Sequence, residues 1–240
     1  MKKNIFVILV LVASVLMTAC SSNIGKIENG YTNFGNLKSN QFKRPEIGEE
    51  IAVITTNKGI IKARLLEENA PIYVEHFKKW VREGAYNGEK FARGKENAFI
   101  SMHSDEFHNQ YKLNEDYELE CKADYRKVTG SLASIISRGK DSSLFFITAN
   151  NEVDQTLIDM MENLSEEYGY TRDVIKAYKK LGGDPEQDYK YTIFGQVFYG
   201  LDTVFEISRI PTELVEDRYT MFTEDVIIEK IELLPYEGDI

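Results

Sequence analysis

Ile51-Ala-Val-Ile-Thr-Thr56 and Ile60-Ile-Lys-Ala-Arg-Leu65 are two runs rich in β-branched residues joined by Asn57-Lys-Gly59, a pattern that predicts an antiparallel hairpin with a glycine turn. Just beyond it, Ala70-Pro71 opens a stretch in which Tyr73, Val74, Phe77, Trp80 and Val81 recur at helical spacing. Proline is tolerated in a first helical turn, and Gly84 supplies the stop. Short strand-like segments follow around Phe99, from Gly130 to Ile136, from Leu144 to Thr148, from Tyr191 to Tyr199 and from Val226 to Leu233. Many short strands and few helices predict a mainly β domain, an antiparallel barrel or sandwich with helical caps. The exception is Asp154 to Leu181, where Leu157, Met160, Met161 and Leu164 form one apolar stripe and Val174, Ile175 and Tyr178 another, closed by Gly182-Gly183. A helical pair, inserted at about 152–183 between two strands, is expected there.

Lys2 and Lys3 precede an apolar stretch from Ile5 to Met17 that ends on Thr18-Ala19-Cys20. This is the arrangement of a secretory signal over 1–19, too short for a comfortable membrane span. Leu16-Met17-Thr18-Ala19-Cys20 resembles a bacterial lipobox, with Met17 where leucine is usual. The resemblance implies lipidation of Cys20 and an extracytoplasmic, membrane-anchored lipoprotein. Residues 20–49 are polar and punctuated by Gly25, Gly30 and Gly35; they read as a flexible tether, of reach on the order of 25 to 30 Å, ahead of a folded domain over 50–240. The chain carries 29 basic against 39 acidic side chains, and the expected signal removes two of the basic ones and none of the acidic. That balance gives no reason to expect nucleic acid as a partner and leaves membrane attachment to the lipid. Aromatic residues at 12% exclude a disordered chain, and a count of two cysteines excludes a disulfide scaffold. Cys121 is expected to be a buried small hydrophobe.

From about Glu50 to Leu233 the chain resembles the cyclophilin family of peptidyl-prolyl isomerases. Gly59-Ile-Ile-Lys-Ala-Arg-Leu65, Asn69-Ala-Pro71 and Val74-Glu-His-Phe77 look like the family's first hairpin and its A-P-x-x-V-x-N-F helix start. Asp141-Ser-Ser-Leu-Phe-Phe-Ile-Thr148 is similar to N-G-S-Q-F-F-I-T, and Tyr191-Thr-Ile-Phe-Gly-Gln-Val197 to H-T-V-F-G-x-V. Gly200-Leu-Asp-Thr-Val-Phe-Glu-Ile207 matches G-M-D-V-V-x-x-I, with Pro211-Thr212 at the expected distance. The resemblance implies a closed eight-stranded antiparallel β-barrel with a helix over each end. It also implies isomerisation of X–Pro bonds, with proline-containing segments of exported proteins as partners.

Catalysing that rotation requires an apolar pocket for the proline ring and a donor that favours the twisted amide over the planar one. In Phe91-Ala-Arg-Gly94 the resemblance places Arg93 at the family's catalytic arginine, while Ala92 replaces a histidine. Phe146 keeps the phenylalanine that lines the proline pocket. In Asn97-Ala-Phe-Ile-Ser-Met-His-Ser-Asp105, gap-free placement puts Phe99 at the family's methionine and Ser101 at its glutamine. One inserted residue instead puts Phe99 at its phenylalanine and Met102 at the glutamine. Leu144 takes the position of the other glutamine, Tyr191 that of the pocket-edge histidine, and Glu186-Gln-Asp-Tyr189 that of W-L-D-G. Phe99, Phe146, Ser101, Leu144 and Tyr191 are therefore the expected substrate-binding residues. Loss of the arginine's polar partners predicts a slow isomerase or, as the alternative, a catalytically silent binding lipoprotein. His103, Asp105 and His108 have an H-x-D-x-x-H spacing, but with only His76 besides they fall short of a usual zinc set, so neither metal nor cofactor is expected. Tyr168, Tyr170 and Tyr178 of the helical pair could extend the cleft or be ordinary half-buried side chains.

Overall fold

Short β-branched runs broken by turn residues give twelve strands among the described residues of the computed structural model, which are 23–239 except 112, 114–118, 123, 138–139, 165–167 and 217–218. In chain order they are β1 (Ile27–Glu28), β2 (Tyr31–Thr32), β3 (Glu50–Thr56), β4 (Gly59–Leu65), β5 (Phe91–Lys95), β6 (Phe99–Met102), β7 (Ser131–Ser137), β8 (Lys140–Thr148), β9 (Ile193–Tyr199), β10 (Thr212–Val215), β11 (Tyr219–Phe222) and β12 (Ile228–Pro235). The predicted hairpin is β3–β4, paired from Ile51↔Arg64 to Thr56↔Gly59. Its tip is held by the Thr56 hydroxyl, which accepts from the Lys58 and Gly59 N–H groups at 3.1 Å each.

The strands form one antiparallel sheet in the order β10-β11-β5-β6-β8-β7-β9-β4-β3-β12. The sheet is mainly antiparallel β as expected, but its ladder is open, which corrects the closed eight-stranded barrel. The reason lies along one edge of β5. The residues just before it meet the start of β12 through the bridge Lys90↔Ile227 and through bonds from Gly88 N–H to Ile228 O (2.8 Å) and Phe91 N–H to Val226 O (3.0 Å). Further along, that strand pairs with β11 at Met221↔Arg93, so β12 cannot continue there. Gly94 is required at this junction: a Cβ there would lie 2.0 Å from Cζ of Phe222, whose ring packs on the β5 backbone.

The core lies between the sheet and α1 (Pro71–Arg82), which buries the predicted Tyr73, Val74, Phe77, Trp80 and Val81. The carboxylate of Glu120 accepts from the first-turn N–H groups of Ile72 and Tyr73 at 3.0 and 2.9 Å, capping the end that Ala70 cannot. Phe77, Phe145 and Phe194 meet tilted or edge-on with centroids 5.0–5.9 Å apart, a geometry that suits ring quadrupoles. Shorter helices are α2 (Asp105–Gln110), α3 (Gln155–Asn163), α4 (Arg172–Leu181) and α5 (Leu201–Ser208). In α3 the inward side chains are Ile158 and Met161, while Met160 and Leu164 are exposed, so the expected stripe is rotated by part of a turn.

Residues 23–49 differ from the expected flexible tether. Ile24, Phe34, Leu37 and Phe42 are buried against Val128 and Phe198 of the body and Val174, Tyr178 and Leu181 of α4. The buried Gln41 amide donates to Arg126 O (2.8 Å), Ser131 Oγ (3.1 Å) and Gln196 Oε1 (3.0 Å) and accepts from Arg126 N–H (2.9 Å). Asp173 at the start of α4 accepts from the N–H groups of Lys38 and Ser39. The segment is a strap that ties the helical pair to the sheet. Its apolar residues dock through turns and a single 3-10 turn at Asn40–Phe42, so no period in the sequence marks them. The signal segment 1–19 and Cys20 lie outside the described residues.

Candidate active site

Four strands bring the expected residues into one row, through the partners Arg93↔Ser101, Ser101↔Phe146 and Phe146↔Ala133. Directly opposed residues share a face of a sheet, so Arg93, Ser101 and Phe146 emerge on the same side. There they line a groove of about 450 Å³ together with Lys95, Phe99, Lys127, Ile135, Asp184, Gln187 and Tyr191. Three rings form its apolar wall: Phe146 stands edge-on to Tyr191 at 5.1 Å and to Phe99 at 6.5 Å.

The pairing Arg93↔Ser101 shows which residue of the next strand stands beside the arginine. Ser101 is the residue beside it, while Met102 belongs to the main core. Leu144 is the exception among the expected binding residues: it is buried in the core and does not line the groove. Strict alternation would put it on the same face as Phe146, but the β7–β8 register shifts between Ser134 and Ile136, whose partners are Phe145 and Asp141. The extra β8 residues bulge, and Leu144 turns inward.

The sequence leads to the expectation that Arg93 lacks the polar partners that would fix it, and the structure places a ring beside it. The Ser101 hydroxyl donates to Met102 O at 2.9 Å, so it is engaged with backbone. The guanidinium lies 4.5 Å from the ring centroid of Tyr219 on β11, a cation–π contact. Arg93 Nε is buried without a hydrogen-bond partner among the described residues. Burial lowers the guanidinium pKa below the ordinary arginine value, while Tyr219 acts in the opposite sense. A partly desolvated donor with a free N–H is suited to an acceptor that a bound molecule brings.

Sequence reasoning missed Tyr219 and Lys127. Tyr219 arrives from a hairpin whose β10 is exposed throughout and lacks an alternating signal. Lys127 precedes β7, and its ammonium sits 5.0 and 5.1 Å from the Phe146 and Tyr191 ring centroids, paired with Asp184 at 3.1 Å. Burial lowers its pKa and Asp184 partly restores it. None of Tyr168, Tyr170 and Tyr178 lines the groove: Tyr178 is buried and donates to Asp188 at 2.6 Å, Tyr170 packs 5.3 Å from the Arg126 guanidinium, and Tyr168 is exposed. His103 packs against Tyr219 and His76 against Trp80, His108 Nδ1 is buried without a hydrogen-bond partner among the described residues, and no metal-competent acid, histidine or cysteine group occurs among them. Cys121 is half-buried; burial, reinforced by Asp141, Asp188 and Glu120, pushes its thiol up to about 11.

The family model described as "Cyclophilin type peptidyl-prolyl cis-trans isomerase/CLD" matches residues 51–233. The chain belongs to the cyclophilin-type peptidyl-prolyl cis-trans isomerase family. A Staphylococcus saprophyticus protein named as such an isomerase is 33% identical over 67% of this chain and 82% of its own length. One from Staphylococcus aureus is 27% identical over 80% of this chain and 95% of its own. The fold is also that of a Cryptosporidium parvum cyclophilin crystallised in the presence of the dipeptide Ala-Pro, with a TM-score of 0.57, 16% identity, and coverage of 78% of this chain and 99% of that one. In this chain Arg93 shares one groove with Phe99, Phe146 and Tyr191 and packs against the Tyr219 ring.

Proposed function

We propose that the groove binds proline-containing segments of exported proteins and catalyses X–Pro rotation slowly, with Arg93 as the electrostatic catalyst. The uncatalysed barrier, about 18–20 kcal/mol, is mostly lost amide resonance. In the planar amide the nitrogen lone pair is delocalised and accepts no hydrogen bond; in the twisted amide it is localised and does. A donor fixed beside the proline nitrogen thus stabilises the transition state more than the ground state. The observation that carries this reading is the unpartnered Arg93 Nε in a groove walled by Phe99, Phe146 and Tyr191. The Ala-Pro dipeptide of the Cryptosporidium cyclophilin crystal supports a proline ligand.

Reduced rate follows from how Arg93 is held. A ring contact restrains the guanidinium plane but leaves it free to slide, whereas hydrogen bonds would fix its direction as well. The expected lipid on Cys20 would keep the enzyme at the outer face of the membrane, where exported chains fold. Labelling with palmitate in a Gram-positive host tests the anchor: incorporation lost in Cys20→Ala supports it, and none in the unaltered chain refutes it. A protease-coupled assay on an Ala-Pro peptide tests the activity; a rate equal to buffer refutes it.

A further inference from the structure

The groove carries a charge opposite to that of the chain around it. The whole sequence has a formal charge of −10, yet the groove's described lining residues include Arg93, Lys95 and Lys127 against one carboxylate, Asp184. Asp184 is engaged by Lys127. Arg93 and Lys95 form no ion pair, so their charges are uncompensated within the described residues. They stand two apart on β5, with Gly94 between them buried and facing the other way.

Alternate residues of a strand share a face and lie about 6.6 Å apart, which is also the advance of two residues in an extended peptide. With Arg93 opposite the X–Pro nitrogen, Lys95 stands opposite a residue two positions from the proline. Lys95 is exposed, long and flexible, so it reaches a side chain there without closing the groove. Resting on the proline-binding reading, we infer that Lys95 makes this enzyme selective for proline segments carrying an aspartate or glutamate two residues from the proline. An anionic body repels acidic clients elsewhere on its surface, so the positive groove also orients their approach.

The test is a peptide series of one length, each with a central Ala-Pro and with Glu, Ala or Lys two residues before or two residues after the proline, measured by exchange NMR on the chain. At low salt, one of the two positions is expected to favour Glu over Lys by about tenfold in kcat/KM, and 0.5 M NaCl is expected to compress the ratio. Lys95→Glu should reverse the order, and Lys95→Gln should bring the ratio near one. If Glu and Lys peptides react equally while the Ala peptide is turned over, or if the ratio survives Lys95→Glu, the selectivity is overturned and proline binding stands. If the Ala peptide is neither bound nor turned over, the proline-binding reading falls and the selectivity falls with it.

Discussion

Replacing Tyr219 by leucine removes the one contact that holds the Arg93 guanidinium within the described residues while leaving the pocket rings in place. The ring centroid is 4.5 Å from the guanidinium, and burial already depresses that cation's pKa. Cation–π contacts contribute about 0.5–1 kcal/mol when exposed and about 2 kcal/mol when desolvated, so about 1–1.5 kcal/mol applies to this half-buried pair. At about 1.4 kcal/mol per tenfold, kcat/KM should fall about five- to twelvefold. The fall should appear in kcat with KM little changed, because in the proposed mechanism the arginine discriminates the twisted amide and the rings hold the proline. Tyr219→Phe keeps the ring and should keep most of the activity. Stability should change by less than about 1 kcal/mol, since Tyr219 is only half-buried on a short hairpin, and this separates positioning from unfolding. Exchange NMR on an Ala-Pro peptide with a parallel thermal melt gives both numbers. An unchanged kcat in folded Tyr219→Leu would refute the idea that the ring positions Arg93.

Phe146→Ala opens the wall between Phe99 and Tyr191 and should raise KM more than it lowers kcat, measured in the same assay. Gln41→Ala leaves the Arg126 N–H and several acceptors of the strap joint unpaired, at about 2–4 kcal/mol, so thermal unfolding should drop by about 5–15 °C. Cys121 should react slowly with iodoacetamide at pH 8, because a thiol with a pKa of about 11 is almost wholly protonated there, and its rate should rise about tenfold per pH unit until the thiolate saturates. A fast, pH-independent reaction would contradict its burial.

What the sequence made legible was local. The β3–β4 hairpin, the buried face of α1 and the order of motifs from Gly59 to Ile207 all rest on turn residues and periodic apolar positions, which are properties of neighbours in the chain. Arg93, Phe99, Ser101, Phe146 and Tyr191 were placed by motif, and the structure gathers them in one groove. Leu144 failed because a bulge in β8 breaks the alternation, and a bulge follows from pairing rather than from composition. Tyr219 was invisible because it reaches the site from a segment far off in sequence, and Lys127 because it lies in an irregular segment before β7 with no pattern of its own. The strap failed for the same reason: Phe34, Leu37 and Phe42 are isolated hydrophobes until Val174 and Tyr178 come to meet them.

The central claim is that Arg93 accelerates X–Pro rotation, and Arg93→Ala tests it most directly in a proline-isomerisation assay beside the unaltered chain. Removing one electrostatic donor from such a site costs about 10²–10³ in rate. The account predicts turnover above buffer for the unaltered chain, a drop of that order or to buffer level for Arg93→Ala, and unchanged melting for both. Measurable turnover that survives intact in folded Arg93→Ala would contradict it.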